Sequence, residues 1–402
     1  MIAPARRAAY EVVRRVFEDD AYADRALRSA TEGLDTRERA FARQLAYGTV
    51  QRVRTLDHVI ETLGRRPIRK LDAPVRASLR LGAYQLGYLD VPPHAAANES
   101  VELVRAARLE RAVPFTNAVM RRLTEGIERL LDELPDGPLK HSYPDWIYDV
   151  WVGDFGGEAA LELMRAQNEP PETVVRLVRG DIDGEPTDVP GAYRVARVDE
   201  DALAAGRIWP QSRASQLAAL AVGSRDGERI LDSCAAPGGK ATMLRGEVTA
   251  VELNEARAQE LEANARRLGA GNVTVVQADA TSLPARLDGF DRALVDAPCS
   301  GLGVLAARPD LRWRARPLPD LQLALLRAAA ERVKPGGTVV YSVCTLNVDE
   351  NEAVVEASGL EGDATLAEEW PQFRHPTRPE FLLTFPHVHR TSGFFIARLS
   401  VP

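Results

Sequence analysis

From Glu228 onward the chain alternates short apolar runs with longer amphipathic ones. RILD, VTAVEL, VTVVQA, RALVDA and TVVYSV read as strands, while the stretches through ARAQELEANARRLG and LQLALLRAAAERV carry apolar residues at helical spacing. Strands that are apolar throughout, rather than at every second position, must have both faces covered, and the helices between them are long enough to cross over and return in the same direction. The pattern predicts a parallel α/β sheet. In such a sheet ligands bind beyond the C-terminal ends of the strands, so the residues that directly follow each run are the informative ones.

A chain of 402 residues is too long for a single core, and the remainder reads as two further pieces. Residues 1–133 show helical periodicity throughout, with Ala8, Val12, Val13 and Val16, then Phe41 and Leu45, then Val75, Leu79, Ala83 and Leu86 as inward positions. Gly33, Gly64–Pro67 and Pro92–Pro93 break this region into helices of ordinary length. A linker rich in breakers follows over 134–143. Residues 145–205 read as a small α+β connecting subdomain, with a helical segment from Pro144 to Asn168 and then two alternating stretches, PPETVVRLVRGDIDGEP and GAYRVARV. Residues 206–402 complete the α/β domain.

Bulk properties exclude some classes of function. There is no run of about 18 apolar residues, as a membrane helix requires, and the start MIAPARRAAYEVVRRVF interrupts its apolar residues with arginine, unlike a cleaved secretory signal. The expectation is a cytoplasmic monomer. Cys234, Cys299 and Cys344 are the only cysteines and lack CxxC spacing, which argues against a disulfide framework and a structural zinc site. His387 and His389 have no third ligand nearby in sequence, so no metal is expected. The net charge of −7 hides an asymmetry. Residues 1–140 hold 24 basic and 20 acidic side chains, against 27 and 38 in the rest. Arginines 37, 39, 43, 52, 54, 65, 66 and 69 fall near predicted helix ends, where phosphates could reach them; on spacing alone a solvated helical surface is the better explanation.

The strand ends carry the chemistry. After RILD comes Cys234-Ala235-Ala236-Pro237-Gly238-Gly239-Lys240, whose small residues would let backbone N–H groups approach a ligand at the start of a helix. It lacks the spacing of a Walker loop. Glu252 ends the second strand, placed to bind ribose hydroxyls, and Asp279 follows the third, placed to receive an adenine amino group. One such acid is usually a helix cap; two after a glycine loop point to an adenosine pocket. The fourth strand leads into Asp296-Ala297-Pro298-Cys299, and the fifth into Tyr341-Ser342-Val343-Cys344. Two of three cysteines and an aspartate thus meet at one crevice.

CAAPGGK, DAPCSGLG, YSVCT, Asp349-Glu350-Asn351-Glu352 and Gly393-Phe394-Phe395 together resemble the Nol/Nop/Sun family of RNA 5-methylcytosine methyltransferases over about 145–401. Residues 1–133 resemble the helical RNA-binding domain of the antitermination factor NusB, a fusion typical of the bacterial enzymes that act on small-subunit ribosomal RNA. The resemblance implies a class I methyltransferase domain that uses S-adenosylmethionine, and 16S ribosomal RNA, before full subunit assembly, as substrate. It also implies roles. Carbon 5 of cytosine is too poor a nucleophile to accept a methyl group unaided, so a thiolate adds at carbon 6 to make an enamine-like intermediate. Cys344 corresponds to that nucleophile and Cys299 to the residue that assists release. Asp296 corresponds to the group on the N3/N4 edge of the base, and Lys240 to one near the base or the methionine end of the cofactor. Cys234 is expected to be a small buried thiol.

Three positions depart from the family pattern: Ala241 stands where threonine is common, Ser212 where aspartate follows the glutamine, and Thr345 where serine is frequent. In Arg308-Pro309-Asp310-Leu311-Arg312-Trp313 the indole could stack on RNA or pack as part of a loop. Transfer RNA as substrate and a non-catalytic assembly factor are the competing readings. DNA cytosine methylation is weaker, because those enzymes take their nucleophile from the Pro-Cys motif after the fourth strand and lack the YSVCT cysteine.

Overall fold

A computed structural model describes residues 2–402. The chain forms two compact units: one comprises the chain up to Asn168 together with Leu305–Arg314, the other Glu169–Val304 and Ala315–Pro402.

The first unit is helical. Helix Pro4–Glu18 begins on a proline and buries Ala5, Ala8, Ala9, Val12, Val13 and Val16 along one stripe. Helix Thr36–Gln51 is capped by Asp35, whose side chain accepts from Glu38 N–H at 2.8 Å, a contact worth about 1 kcal/mol. Helices Val53–Gly64, Ala73–Tyr88, Pro93–Ala106 and Val113–Glu133 close a second cluster around Leu56, Leu79, Met120 and Leu123. Each such fully buried side chain contributes about 1.5–3 kcal/mol.

The boundary expected at residue 145 falls elsewhere. Helices Asp145–Phe155 and Gly157–Ala166 belong to this first unit. The cause is their buried face: Ile147, Trp151, Leu163 and Met164 need partners, Tyr143 packs at 5.5 Å from Trp151, and Arg54 grips Asp145 with two bonds of 2.8 and 3.0 Å. Of 145–205, the part from Glu169 onward, which holds the strands and the short helix Glu200–Ala204, lies in the second unit.

The segment Leu305–Arg314 is likewise part of the first unit. Arg312 is fully buried and donates to the carbonyls of Gln167 at 2.8 Å and Gln51 at 3.3 Å, with its guanidinium 3.9 Å from the Tyr143 ring centroid. Burial with no carboxylate beside it lowers its pKa to about 10. Trp313 Nε1 donates to Val50 O at 2.7 Å, and its ring packs against the core around Leu45. The structure therefore gives Trp313 the packed role and removes it from the candidates for RNA stacking.

The second unit holds two sheets. The smaller is antiparallel and contains β1 (Val174–Leu177), β2 (Glu185–Pro186), β3 (Ala192–Arg194) and β4 (Ile208–Pro210), in the order β2-β3-β1-β4. The larger contains β5 (Arg229–Asp232), β6 (Glu247–Glu252), β7 (Val273–Gln277), β8 (Phe290–Asp296), β9 (Val333–Val343), β10 (Glu361–Gly362), β11 (Leu382–Thr384) and β12 (Phe394–Ser400). Its order is β10-β12-β9-β8-β5-β6-β7, with β11 also on β12. The five strands read from the sequence are parallel as expected, but β12 enters antiparallel beside β9 and makes the sheet mixed. An apolar run such as FFIARL shows that a strand is buried and says nothing of its direction.

Successive strands move outward from β5 to β7 and then return past β5 to β8 and β9. The topological switch therefore lies between β5 and β8, where a ligand crevice opens. Helix Glu255–Leu268 is capped by Asn254, which accepts from Arg257 N–H at 3.1 Å, and ends at Gly269 with φ +75°. No comparable helix follows β5. The glycine loop runs into a single 3₁₀ turn, Ala241–Met243, because Gly246 arrives too soon for a longer one.

Candidate active site

At the switch point lies a cavity of about 220 Å³, lined by Asp232, by Cys234–Pro237, by Gly239 and Lys240, and by Asp296. Gly238 adopts φ +104°, and a side chain there would strike Leu261 at 2.6 Å. A Cβ on Gly239 would lie 2.8 Å from Trp209 Nε1. Backbone and indole thus meet at a spacing only glycine permits. Behind this turn Arg176 of β1 donates to Gly239 O at 2.8 Å and Thr242 Oγ1 at 2.9 Å. Burial lowers the Arg176 guanidinium to about 10.

The charges in the cavity do not cancel. Lys240 Nζ is 2.6 Å from Asp296 Oδ2, and Ser342 Oγ donates to Asp296 Oδ1 at 2.8 Å. Asp232 is fully buried, and among the described residues neither of its side-chain oxygens has a well-formed hydrogen bond. Burial first, and the nearby Asp296 charge second, push its carboxyl up to about 7, with Lys240 and the Cys234 N–H only partly opposing. An unpartnered buried carboxylate beside a glycine turn fits a ligand that brings its own cation and backbone-binding groups, as the amino-acid end of S-adenosylmethionine does.

Next to the cavity, β8 and β9 deliver the thiols. Asp296 and Ser342 are register partners on these strands, so the chains continue side by side into Cys299 and Cys344, whose sulfurs are 3.4 Å apart. The shared hydrogen bond polarises the pair. It pulls Cys344 below the usual thiol range against the effect of burial, while the same contact and burial push Cys299 well above it. The pair is thus biased toward charge on Cys344 and a proton on Cys299. Gly303 N–H holds Cys344 O at 3.0 Å, and a Cβ on Gly303 would meet Gly393 O at 1.9 Å. That close backbone crossing gives both glycines a structural reason.

Of the residues singled out in sequence, Cys234, Ala235, Ala236, Pro237, Gly239, Lys240 and Asp296 line the cavity; Gly238, Glu252 and Asp279 do not. Glu252 is buried and accepts from Asn254 N–H at 2.9 Å. Asp279 is exposed and accepts from Thr281 N and Oγ1 at 2.9 and 2.7 Å, which lowers its carboxyl. Cys234 is pushed well above the thiol range by burial and neighbouring carboxylates. The sequence reading missed Asp232, and it missed Trp209 and Pro210, which reach the cavity from the small sheet; Gln211, marked in the sequence through its pairing with Ser212, also lines it. The acid that ends RILD was a visible signal for the first; nothing local marked Trp209 and Pro210. Ser212, in place of the usual aspartate, still caps helix Arg213–Leu220 by accepting from Ser215 N–H at 3.3 Å. His389 receives Phe385 N–H on Nδ1 at 2.8 Å and has Gln372 O 3.1 Å from Nε2, so both ring nitrogens are engaged.

Comparison with known proteins fits this geometry. The family described as 16S rRNA methyltransferase RsmB/F matches residues 219–400, and the NusB family matches residues 3–125. A probable ribosomal RNA small subunit methyltransferase B from Synechocystis sp. is 34% identical across 98% of this chain and 99% of its own. The ribosomal RNA small subunit methyltransferase B of Thermus thermophilus is 38% identical across 93% and 88%. Among solved structures, PH0851 superposes with a TM-score of 0.82 at 22% identity over 99% of both chains, a likeness of fold. A glycine turn at the switch point, a cavity suited to the cofactor and these sequence matches define an S-adenosylmethionine-dependent RNA methyltransferase. The chain belongs to the ribosomal RNA small subunit methyltransferase B family.

Proposed function

We propose that the enzyme methylates carbon 5 of a cytosine in 16S ribosomal RNA through a transient thioether between Cys344 and carbon 6, acting as a cytoplasmic monomer on RNA not yet enclosed in the finished subunit. The observation that carries this reading is the thiol pair at 3.4 Å, one sulfur biased toward thiolate and the other toward thiol, beside Asp296.

S-adenosylmethionine supplies the methyl group. Asp232, the Cys234–Lys240 turn and Trp209 would hold it. Glu252 and Asp279 would complete the pocket on the ribose and adenine side. Asp296, anchored by Lys240 and Ser342, would hydrogen-bond the N3/N4 edge of the base and stabilise the charge that develops on the ring as the thiolate adds. The Cys344 sulfur adds to carbon 6, and that bond activates carbon 5. After transfer, the proton on carbon 5 leaves to a base and the carbon 6–sulfur bond breaks, which restores the Cys344 thiolate. Cys299, in contact with that sulfur, assists this second half. The target base must stand out of any helix for the thiol to reach it, and exposed arginines 37, 39, 43, 65, 66 and 69 of the helical unit offer charge to the surrounding phosphates.

Labelled cofactor and ribosomal RNA incubated with wild type, Cys344→Ala and Cys299→Ala test the reading. Cys344→Ala should transfer nothing, and Cys299→Ala should accumulate a covalent protein–RNA adduct visible on a denaturing gel. Methylation by Cys344→Ala sinks the assignment. Bisulfite sequencing of the product then fixes the nucleotide, and a modified transfer RNA in place of 16S RNA would redirect the substrate claim alone.

A further inference from the structure

Glu350 is completely buried, yet among the described residues no cation pairs with it. Its carboxylate is saturated by neutral donors instead. Oε1 accepts from Ser300 N–H at 2.9 Å, Leu318 N–H at 3.1 Å and Gln322 Nε2 at 2.9 Å. Oε2 accepts from Ser300 Oγ and from Asn347 Nδ2 at 3.2 Å, with Thr345 Oγ1 at 3.5 Å. The Glu350 carbonyl receives Tyr341 OH at 2.7 Å. Two of these partners decide the matter. Ser300 directly follows Cys299, Thr345 directly follows Cys344, and their hydroxyls also join each other at 2.7 Å.

We propose that Glu350 is a positioning residue that ties both cysteine loops to one anchor and so sets the thiol–thiol contact. The inference rests on the two-cysteine reading above and adds a residue that reaches neither cofactor nor substrate. A carboxylate suits the task because it only accepts, offering about four lone-pair positions to inward-pointing donors. A glutamine of the same shape would turn an NH₂ group against donors already aimed at that place. The charge contributes as well. It faces Cys299 and raises its pKa, the direction that separates the two sulfurs.

The test compares wild type, Glu350→Gln and Asn347→Ala. The first readout is the ratio of Cys344 to Cys299 alkylation by limiting iodoacetamide, measured by mass spectrometry in the absence of RNA. The second is methyl transfer, and the third is cofactor affinity by calorimetry. Glu350→Gln should cut the alkylation ratio at least about fivefold and transfer about 100-fold, with cofactor affinity held within about threefold, because its contacts lie outside the cavity. Asn347→Ala removes one donor and should move the ratio the same way by a smaller factor. It carries the test alone if Glu350→Gln fails to fold. An unchanged ratio in the folded variant overturns the proposal, as does loss of cofactor affinity in step with transfer. If wild type forms no thioether with RNA while the ratio still depends on Glu350, the methylation chemistry falls and the positioning role stands.

Discussion

The cavity at the end of β5 and the thiol cluster at the ends of β8 and β9 are neighbours built on opposite principles. In the cavity, Asp232 is buried with both oxygens unpartnered and three charged groups share one space. In the cluster, Glu350 is buried just as deeply but fully satisfied, and the cysteines are held by their own backbone neighbours. An unpartnered carboxylate costs several kcal/mol, a cost that can be offset each time a cationic ligand arrives. A saturated network keeps one arrangement whether or not substrate is present. The cofactor side is therefore left electrostatically open to its ligand, while the nucleophile side is set in advance. The joint between them is the chain Lys240–Asp296–Ser342.

Breaking that joint at its cation should have the largest effect. Lys240→Ala leaves Asp296 and Asp232 as two uncompensated carboxylates and removes a positive charge that lowers the Cys344 pKa. Methyl transfer should fall by about 10³-fold, the scale for losing one preorganised electrostatic group. Iodoacetamide should also react more slowly with Cys344. If transfer collapses while the alkylation rate stays at the wild-type value, cavity and cluster are electrically independent, and the comparison drawn above is wrong.

A smaller and oppositely signed effect belongs to Asp232→Asn. In the folded protein the carboxyl stays protonated up to about 7, whereas in the unfolded chain it ionises above about 4. Between those values the native state holds more protons, so wild-type stability falls as pH rises, and above about 7 it falls no further on this account. Asparagine does not titrate. The variant should thus gain on wild type from pH 4 to 7, reaching on the order of 4 kcal/mol above that, as read from urea unfolding at pH 5 and pH 8. Cofactor affinity should fall about 10- to 100-fold, the loss of a charged partner for a bound cation. A variant that is no more stable at pH 8 than wild type would show that the carboxylate is not exposed to the burial cost assigned to it.

The two regions also differed in how far the sequence revealed them. The sheet was legible because its five parallel strands are apolar runs separated by helices of crossover length, and the cysteines were legible because they follow two of those strands. Asp232 was passed over, although adjacent to the loop that was read, because burial and the lack of a donor are properties of the packed sheet. Trp209 reaches the cavity from β4, which pairs with β1 some thirty residues upstream, and pairing partners are not written locally. Glu350 sat inside a recognised motif, yet its function depends on Ser300, Leu318 and Gln322 converging from other segments. Trp313 was ambiguous for the same reason: an indole after a loop has no direction until the Val50 carbonyl supplies one.

The smallest expected effect tests the joint from the cluster's side. Ser342 lies on β9 two residues before Cys344, is fully buried, and donates only one side-chain bond across to Asp296. Ser342→Ala removes that bond with almost no change of shape. Lys240 still holds the other oxygen of Asp296, so the carboxylate keeps its charge and place but loses one of two restraints. Cofactor affinity should stay within about threefold and kcat should fall about tenfold, the pattern expected when an interaction matters chiefly in the transition state. A parallel loss in affinity and rate would instead assign Ser342 to the cofactor pocket, and the boundary between the open and the preset half of the site would then lie on β9 rather than β8.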